Sequence, residues 1–172
     1  MLRQFLFAIL SVLISAPSQA ETAVSQDEFV SLFDRAVQTV PNLEALEKLS
    51  IQAGFRIVSK ESTGSHLSYL EAANTDEDFY IVGIRDHRAS LSADHVRLLV
   101  TQYGTDASYA KNLTSQAQQH LPQGPSHKSD LSGGFTFGTA WEAGYPDLIT
   151  LEVKFHRKEK ASLMEAVFLK TN

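Results

Sequence analysis

The stretch FYIVGIRD at residues 79–86 decides the fold, because it carries the strongest strand signal in the chain. Apolar side chains occupy both of its alternating sets: Phe79 and Ile81 in one, and Tyr80, Val82 and Ile84 in the other. Alternate residues of a strand point to opposite faces of a sheet. A strand that is apolar on both faces is usually central in its sheet.

Period-two patterns on either side of this stretch predict further strands. They fall at residues 55–58, 67–72, 96–103, 135–141, 148–156 and 163–169. Leu99 blurs the alternation of the fourth strand, so a helix is the alternative there. Short polar turns at residues 74–78, 144–147 and 157–160 separate neighbouring strands. Such short connections favour antiparallel pairing.

Capping signals predict three helices. Ser25 followed by Glu28 forms a capping box for a first helix that runs to about Val40. Asn42 can cap a second helix that ends near Gly54, and Asp106 can cap a third that ends near residue 121. The first two helices are expected to form a hairpin, with one helix bent at Pro41 as the alternative.

The order of elements predicts an α+β fold in a single domain. An N-terminal helical hairpin is followed by a curved, mostly antiparallel sheet of six or seven strands with a third helix inserted, written αα-ββββ-α-βββ. The helices are expected to pack on one face of the sheet. The sequence leaves the strand order open.

The N-terminus predicts export. Arg3 precedes an apolar run at residues 5–14, and Ser18 and Ala20 are small residues at a signal-peptidase site. Residues 1–20 are therefore interpreted as a cleaved signal peptide and residues 21–172 as a single globular domain. The apolar run is shorter than the roughly 20 residues of a membrane-spanning helix, and the chain has no cysteine for lipid attachment. We expect a periplasmic or secreted protein without a membrane anchor.

Charge limits the partners that this chain can bind. The formal net charge is −5, and residues 61–110 alone carry eight acidic and three basic side chains. A protein that binds nucleic acid without sequence preference needs a basic stripe to neutralise phosphates, and this chain has none. We therefore expect no nucleic-acid partner.

The first functional hypothesis is a non-enzymatic binding or accessory protein that acts on another protein. Nucleophile-elbow, zinc-helix and phosphate-loop motifs are all missing from the sequence, and no cofactor is expected. Asp76, Glu77 and Asp78 form the acidic turn, which would steer the protein toward a basic partner.

A small apolar-ligand carrier is the second hypothesis. Its pocket would lie between sheet and helices and be lined by Phe79, Ile81, Phe135, Phe137, Trp141 and Phe155. The alternative is that these residues fill a solid core. Gly134, Gly138 and Ala140 leave one side of their strand nearly bare, which indicates a helix crossing closely or the floor of a groove.

The third hypothesis is a metal-dependent or acid–base hydrolase. Asp86, His87, Asp94 and His95 lie at both ends of the loop between two predicted adjacent strands. Two imidazoles and two carboxylates could bind zinc or transfer protons there. Solvated loop residues are the alternative, because spacing alone does not provide the convergent geometry of a metal site.

Overall fold

A computed structural model describes residues 23–40, 42–63, 67–86, 93–121, 128–133, 136–141 and 148–171. The predicted signal peptide, His87 and Phe135 lie outside these residues. The chain forms α1 (Gln26–Thr39), α2 (Leu43–Gln52), β1 (Arg56–Thr63), β2 (Leu67–Ala73), β3 (Phe79–Asp86), β4 (Ala93–Gln102), α3 (Ala107–His120), β5 (Lys128–Gly133), β6 (Thr136–Trp141), β7 (Leu148–His156) and β8 (Ala161–Thr171).

The predicted α+β class and element order are confirmed. Three helices accompany one antiparallel sheet in the described part of the chain. This sheet has eight strands, whereas the sequence predicts six or seven, because β5 forms where a loop was expected. β5 has the sequence KSDLSG and, among the described strands, pairs with β6 alone at the edge of the sheet. Its mostly polar sequence lacks the period-two apolar pattern that predicts a strand.

The order of strands across the sheet is β1-β2-β3-β4-β8-β7-β6-β5. Each half is a four-stranded meander. The first is preceded by α1 and α2 and the second by α3, and the halves meet where β4 pairs with β8. This central pairing places Leu98 opposite Ala166. β3 therefore has a strand on both sides, as its two apolar faces predict.

The predicted helix caps are all present. The Ser25 hydroxyl accepts a hydrogen bond from the Glu28 amide, and Asn42 Oδ1 accepts from two amides of the first turn of α2. Asp106 accepts from the Tyr109 amide at the start of α3. Gly54 follows α2 with φ of +86°, a conformation that suits glycine.

The three helices share one face of the sheet. α1 contacts α2, α3 and β4, while α2 lies over the first meander and α3 over the second. The core between them is apolar, with Phe29 and Phe33 of α1 fully buried beside Leu98 of β4. Phe79 packs against Phe29, with ring centroids 5.1 Å apart.

A buried polar cluster fixes the end of β4. The Gln102 side chain is fully buried; its oxygen accepts from the Val24 amide, and its nitrogen donates to the Asp78 carboxylate at 3.1 Å. The hydroxyl oxygens of Thr105 and Ser162 are 2.8 Å apart. Buried polar groups are costly unless paired, so these bonds fasten the start of α1 and the turn before β3 to the centre of the sheet.

α2 approaches the sheet closely above Gly83. A Cβ atom at this position would lie 2.6 Å from Leu46 Cδ2 and 2.7 Å from Leu43 Cδ2. Leu46 is fully buried, so its side chain has no free space into which to move. The lack of a side chain at Gly83 therefore sets the distance between α2 and β3.

We predict that Gly83→Ala lowers the free energy of unfolding by about 1–3 kcal/mol, because the added methyl group overpacks the helix–sheet interface. Chemical denaturation measures the change. The double variant Gly83→Ala with Leu43→Ala provides the control, since trimming the half-buried leucine should recover part of the loss. Additive effects of the two substitutions would contradict the close approach.

Candidate functional site

The face of the sheet opposite the helices is the candidate functional site. We call it the helix-free face, since the three described helices all lie on the other side. Strand register assigns its central residues: Tyr69 and Glu71 (β2), Tyr80, Val82 and Ile84 (β3), Arg97, Leu99 and Thr101 (β4), Leu163, Glu165 and Val167 (β8), and Glu152 and Lys154 (β7).

An ion-pair network occupies the middle of the helix-free face. Glu165 is only 4% exposed, although it lies on the face of β8 that points away from the helices. Arg97 donates from Nε to Glu165 Oε1 at 2.8 Å and also from Nη2, while Lys154 Nζ donates to Oε2 at 2.8 Å. Lys154 also pairs with Glu152. The network joins β4, β8 and β7 across the sheet centre.

The network keeps its charges at neutral pH. Burial acts to raise the pKa of Glu165, but hydrogen bonds from Lys154 and Arg97 outweigh it, and the pKa is lowered overall. Burial likewise acts to lower the pKa of Lys154, and the bonds to Glu152 and Glu165 leave it raised. Half of the Arg97 side chain is exposed to solvent. The buried carboxylate therefore orients a guanidinium at the surface.

Aromatic and apolar side chains flank the network toward β2. The rings of Tyr80 and Tyr103 meet edge to face, with centroids 5.6 Å apart and planes at 84°. The Tyr69 hydroxyl donates to Glu71 at 2.7 Å, and burial together with this bond raises the tyrosine pKa to about 12. A groove of about 420 Å³ runs between Glu71, Glu77, Tyr80, Val82, Thr101 and Tyr103.

Small residues flank the network on the other side. Gly138 pairs with Lys154 and Ala140 pairs with Glu152, so the nearly bare set of β6 belongs by register to the helix-free face. One prediction from the sequence was that a helix crosses closely over this set. The close helix crossing in the structure is instead the one where α2 passes Gly83. This position of Gly138 and Ala140 fits the alternative prediction, the floor of a groove.

Three of the residues predicted to line a carrier pocket are buried on the helix side. Phe79 contacts the rings of Phe29 and Phe55, Ile81 is fully buried, and Phe155 is 7% exposed. Phe137 pairs with Phe155 and Trp141 with Leu151, so their strand positions share the same face. Phe135 lies outside the described residues. The three buried side chains fit the solid-core alternative, and the carrier hypothesis stays a prediction.

The predicted acid–base cluster is brought together only in part. Asp86 and His95 are direct partners in the register of β3 and β4, whereas Asp94 belongs to the opposite set of β4. His87 lies outside the described residues. Within the described ranges, no group of three or more His, Asp or Glu side chains is arranged to hold a metal ion.

Two side chains of the acidic turn make contacts within the protein. Asp78 accepts from Asn74 at 2.6 Å and from Gln102, and Glu77 pairs with Arg56. Asp76 is exposed at the tip. Glu77 and Asp76 therefore remain the more accessible members of the predicted partner-binding turn.

Sequence reasoning missed the ion-pair network. Arg97, Lys154 and Glu165 lie far apart in the chain, and the strand order that joins them could not be deduced. A usable signal exists, however, because Glu165 is the only charged residue within the apolar strand at residues 161–169. Buried carboxylates need cationic partners, so a lone acid in such a strand indicates a paired charge.

Comparisons with known proteins return no similarity: no family model, curated protein or solved structure matches this chain. Among the helices of the described ranges, none has both the length and the apolar character needed to cross a membrane. The function is therefore inferred from the physical properties of the helix-free face.

We predict that Glu165→Gln lowers the free energy of unfolding by about 2 kcal/mol at pH 7, since charged hydrogen bonds to Arg97 and Lys154 are lost. The native pKa of Glu165 lies below its unfolded value, so its contribution is complete above the unfolded value and fades as pH falls through the native one. Denaturant titrations from neutral to acid pH should show the two proteins converging.

Glu159→Gln is the matched control, because this carboxylate is exposed in the turn before β8. Its effect should stay within about 0.5 kcal/mol. A Glu165→Gln protein as stable as the parent at pH 7 would contradict the structural role of the network.

Proposed function

We propose that this protein is an exported, non-enzymatic binding or accessory protein, and that its partner is another protein that docks on the helix-free face. The observation that carries the proposal is the combination, on one face, of partly exposed aromatic and aliphatic side chains with an oriented arginine at their centre. Aromatic residues and arginine are the types most enriched where binding energy concentrates in protein interfaces.

The arrangement of the network favours binding over catalysis. Both oxygens of Glu165 accept hydrogen bonds from cations, and its pKa is lowered. A general acid or base works best with a pKa near the operating pH and with access to the substrate. This carboxylate has neither property, so it suits the task of holding Arg97 in place.

The size of the helix-free face also suits a macromolecular partner. It extends from Tyr69 on β2 to Lys154 on β7, across five neighbouring strands. Tyr103 at the end of β4 and Leu67 at the start of β2 are each more than two-fifths exposed. We infer that these exposed apolar side chains, one at each end of the face, contribute to the docking surface.

Photo-crosslinking tests the proposed binding face. A photoreactive amino acid is introduced in place of Leu99 on the helix-free face, and separately in place of Ile51 on the outer side of α2, which is 57% exposed. We expect a discrete covalent adduct with one cellular protein from position 99 and none from position 51.

Equal labelling at both positions, or no adduct from position 99, would contradict the assignment of the partner surface. Native mass spectrometry of the same purified protein gives an independent outcome. A retained small apolar molecule would replace the accessory function by the carrier.

Export is tested separately. We predict that the protein accumulates outside the cytoplasm and that intact mass and N-terminal sequencing place its first residue at Glu21. Ala20→Asp should leave the precursor uncleaved, because signal peptidase reads a small residue at this position. Cytoplasmic accumulation of the full 172-residue chain would contradict export.

A further inference from the structure

We infer that the groove between Tyr80, Tyr103, Glu71 and Glu77 binds a lysine or arginine side chain presented by the partner protein. The inference rests on the proposed function, since it identifies the chemistry by which the helix-free face recognises its partner. Recognition uses the two perpendicular tyrosine rings and the two carboxylates that border the groove.

The two tyrosines form an aromatic corner. Their planes meet at 84°, and Tyr103 is 43% exposed. Cations bind against the faces of aromatic rings, and cages of such rings recognise ammonium groups. The groove volume of about 420 Å³ lies within the range that holds small ligands. A long cationic side chain can enter this corner while its methylene groups lie along Val82.

The carboxylates provide the charge selectivity. Glu71 is held by the Tyr69 hydroxyl at 2.7 Å, so its orientation is set before a partner arrives. Glu77 pairs with Arg56, and about half of each side chain is exposed to solvent. Glu71, Glu77 and Arg56 together carry one net negative charge. This net charge would repel an anionic side chain and attract a cationic one.

Aromatic walls distinguish this groove from a site for an inorganic cation. Calcium and magnesium require several oxygen ligands around one point, and no such cluster occurs among the described side chains. An organic cation uses the ring faces as well as the carboxylates. The net negative charge of residues 61–110 attracts a basic partner toward this part of the protein.

The test uses the protein comprising residues 21–172 and two small probes, N-acetyl-lysine methylamide and N-acetyl-norleucine methylamide, which share a carbon chain but differ in charge. Amide chemical shifts are followed by NMR during titration. We expect saturable shifts at Tyr80, Val82, Thr101 and Tyr103 with the lysine probe alone. Glu71→Gln and Tyr103→Ala should each weaken its binding by about threefold or more.

Glu159→Gln and Ile51→Ala are the matched controls and should bind the lysine probe like the parent, because both side chains are exposed away from the groove.

Tyr69→Phe is a third test variant. It should weaken binding of the lysine probe, since it frees Glu71 without altering the groove walls. Thermal unfolding of each variant verifies that it is folded.

Equal shifts from the norleucine probe would overturn cation recognition, and the absence of shifts from the lysine probe would overturn the site. These failures are distinguishable from failure of the proposed function. A partner crosslinked at position 99 with no lysine binding would reject only this inference. Lysine binding with no crosslinked partner would reject the protein-docking function and leave the groove as a site for a free amine.

Discussion

The pairing of β4 with β8 is the interaction on which the rest of the structure depends. These strands share a continuous register from Ala93 opposite Thr171 to Gln102 opposite Ser162, and this pairing joins the two meanders into one sheet. On the helix side it aligns the floor of the core beneath α1. On the other side it brings Arg97 beside Glu165, two residues that the chain separates widely. The core, the ion pair and the helix-free face therefore all depend on this one pairing.

Local signals predicted most of the fold correctly. Ser25, Asn42 and Asp106 cap helices as expected, and β3 is interior as its two apolar sets indicate. The edges of the sheet were harder to predict. β1 extends through the polar residues 59–63, and β5 was expected to be a loop. Both segments are mostly polar, so they lack the period-two apolar pattern from which the other strands were predicted. Leu99 blurs the alternation of β4 because it contributes apolar surface to the helix-free face.

The candidate site was less predictable than the fold because it depends on strand order. Tyr80 and Val82 were correctly assigned to one face of β3, but only the neighbouring strands bring Glu71, Thr101 and Tyr103 beside them. Asp86 and His95 are partners in the register of β3 and β4, and the hydrolase hypothesis built on them stays a prediction. Arg97 and Glu165 meet at the centre of the helix-free face because β4 pairs with β8. This pairing is long-range in the chain, so no local sequence pattern encodes it.

The position of β8 at the centre of the sheet has a consequence for how the chain folds as it emerges. A polypeptide leaves a ribosome or a translocation pore from its N-terminus, so the first meander appears early with the long edge of β4 unpaired. That edge stays exposed until residues 161–171 have also emerged. Non-local pairing of this kind folds slowly and exposes strand edges to aggregation. The two meanders therefore cannot join into one sheet, and the core cannot be completed, before β8 has been made.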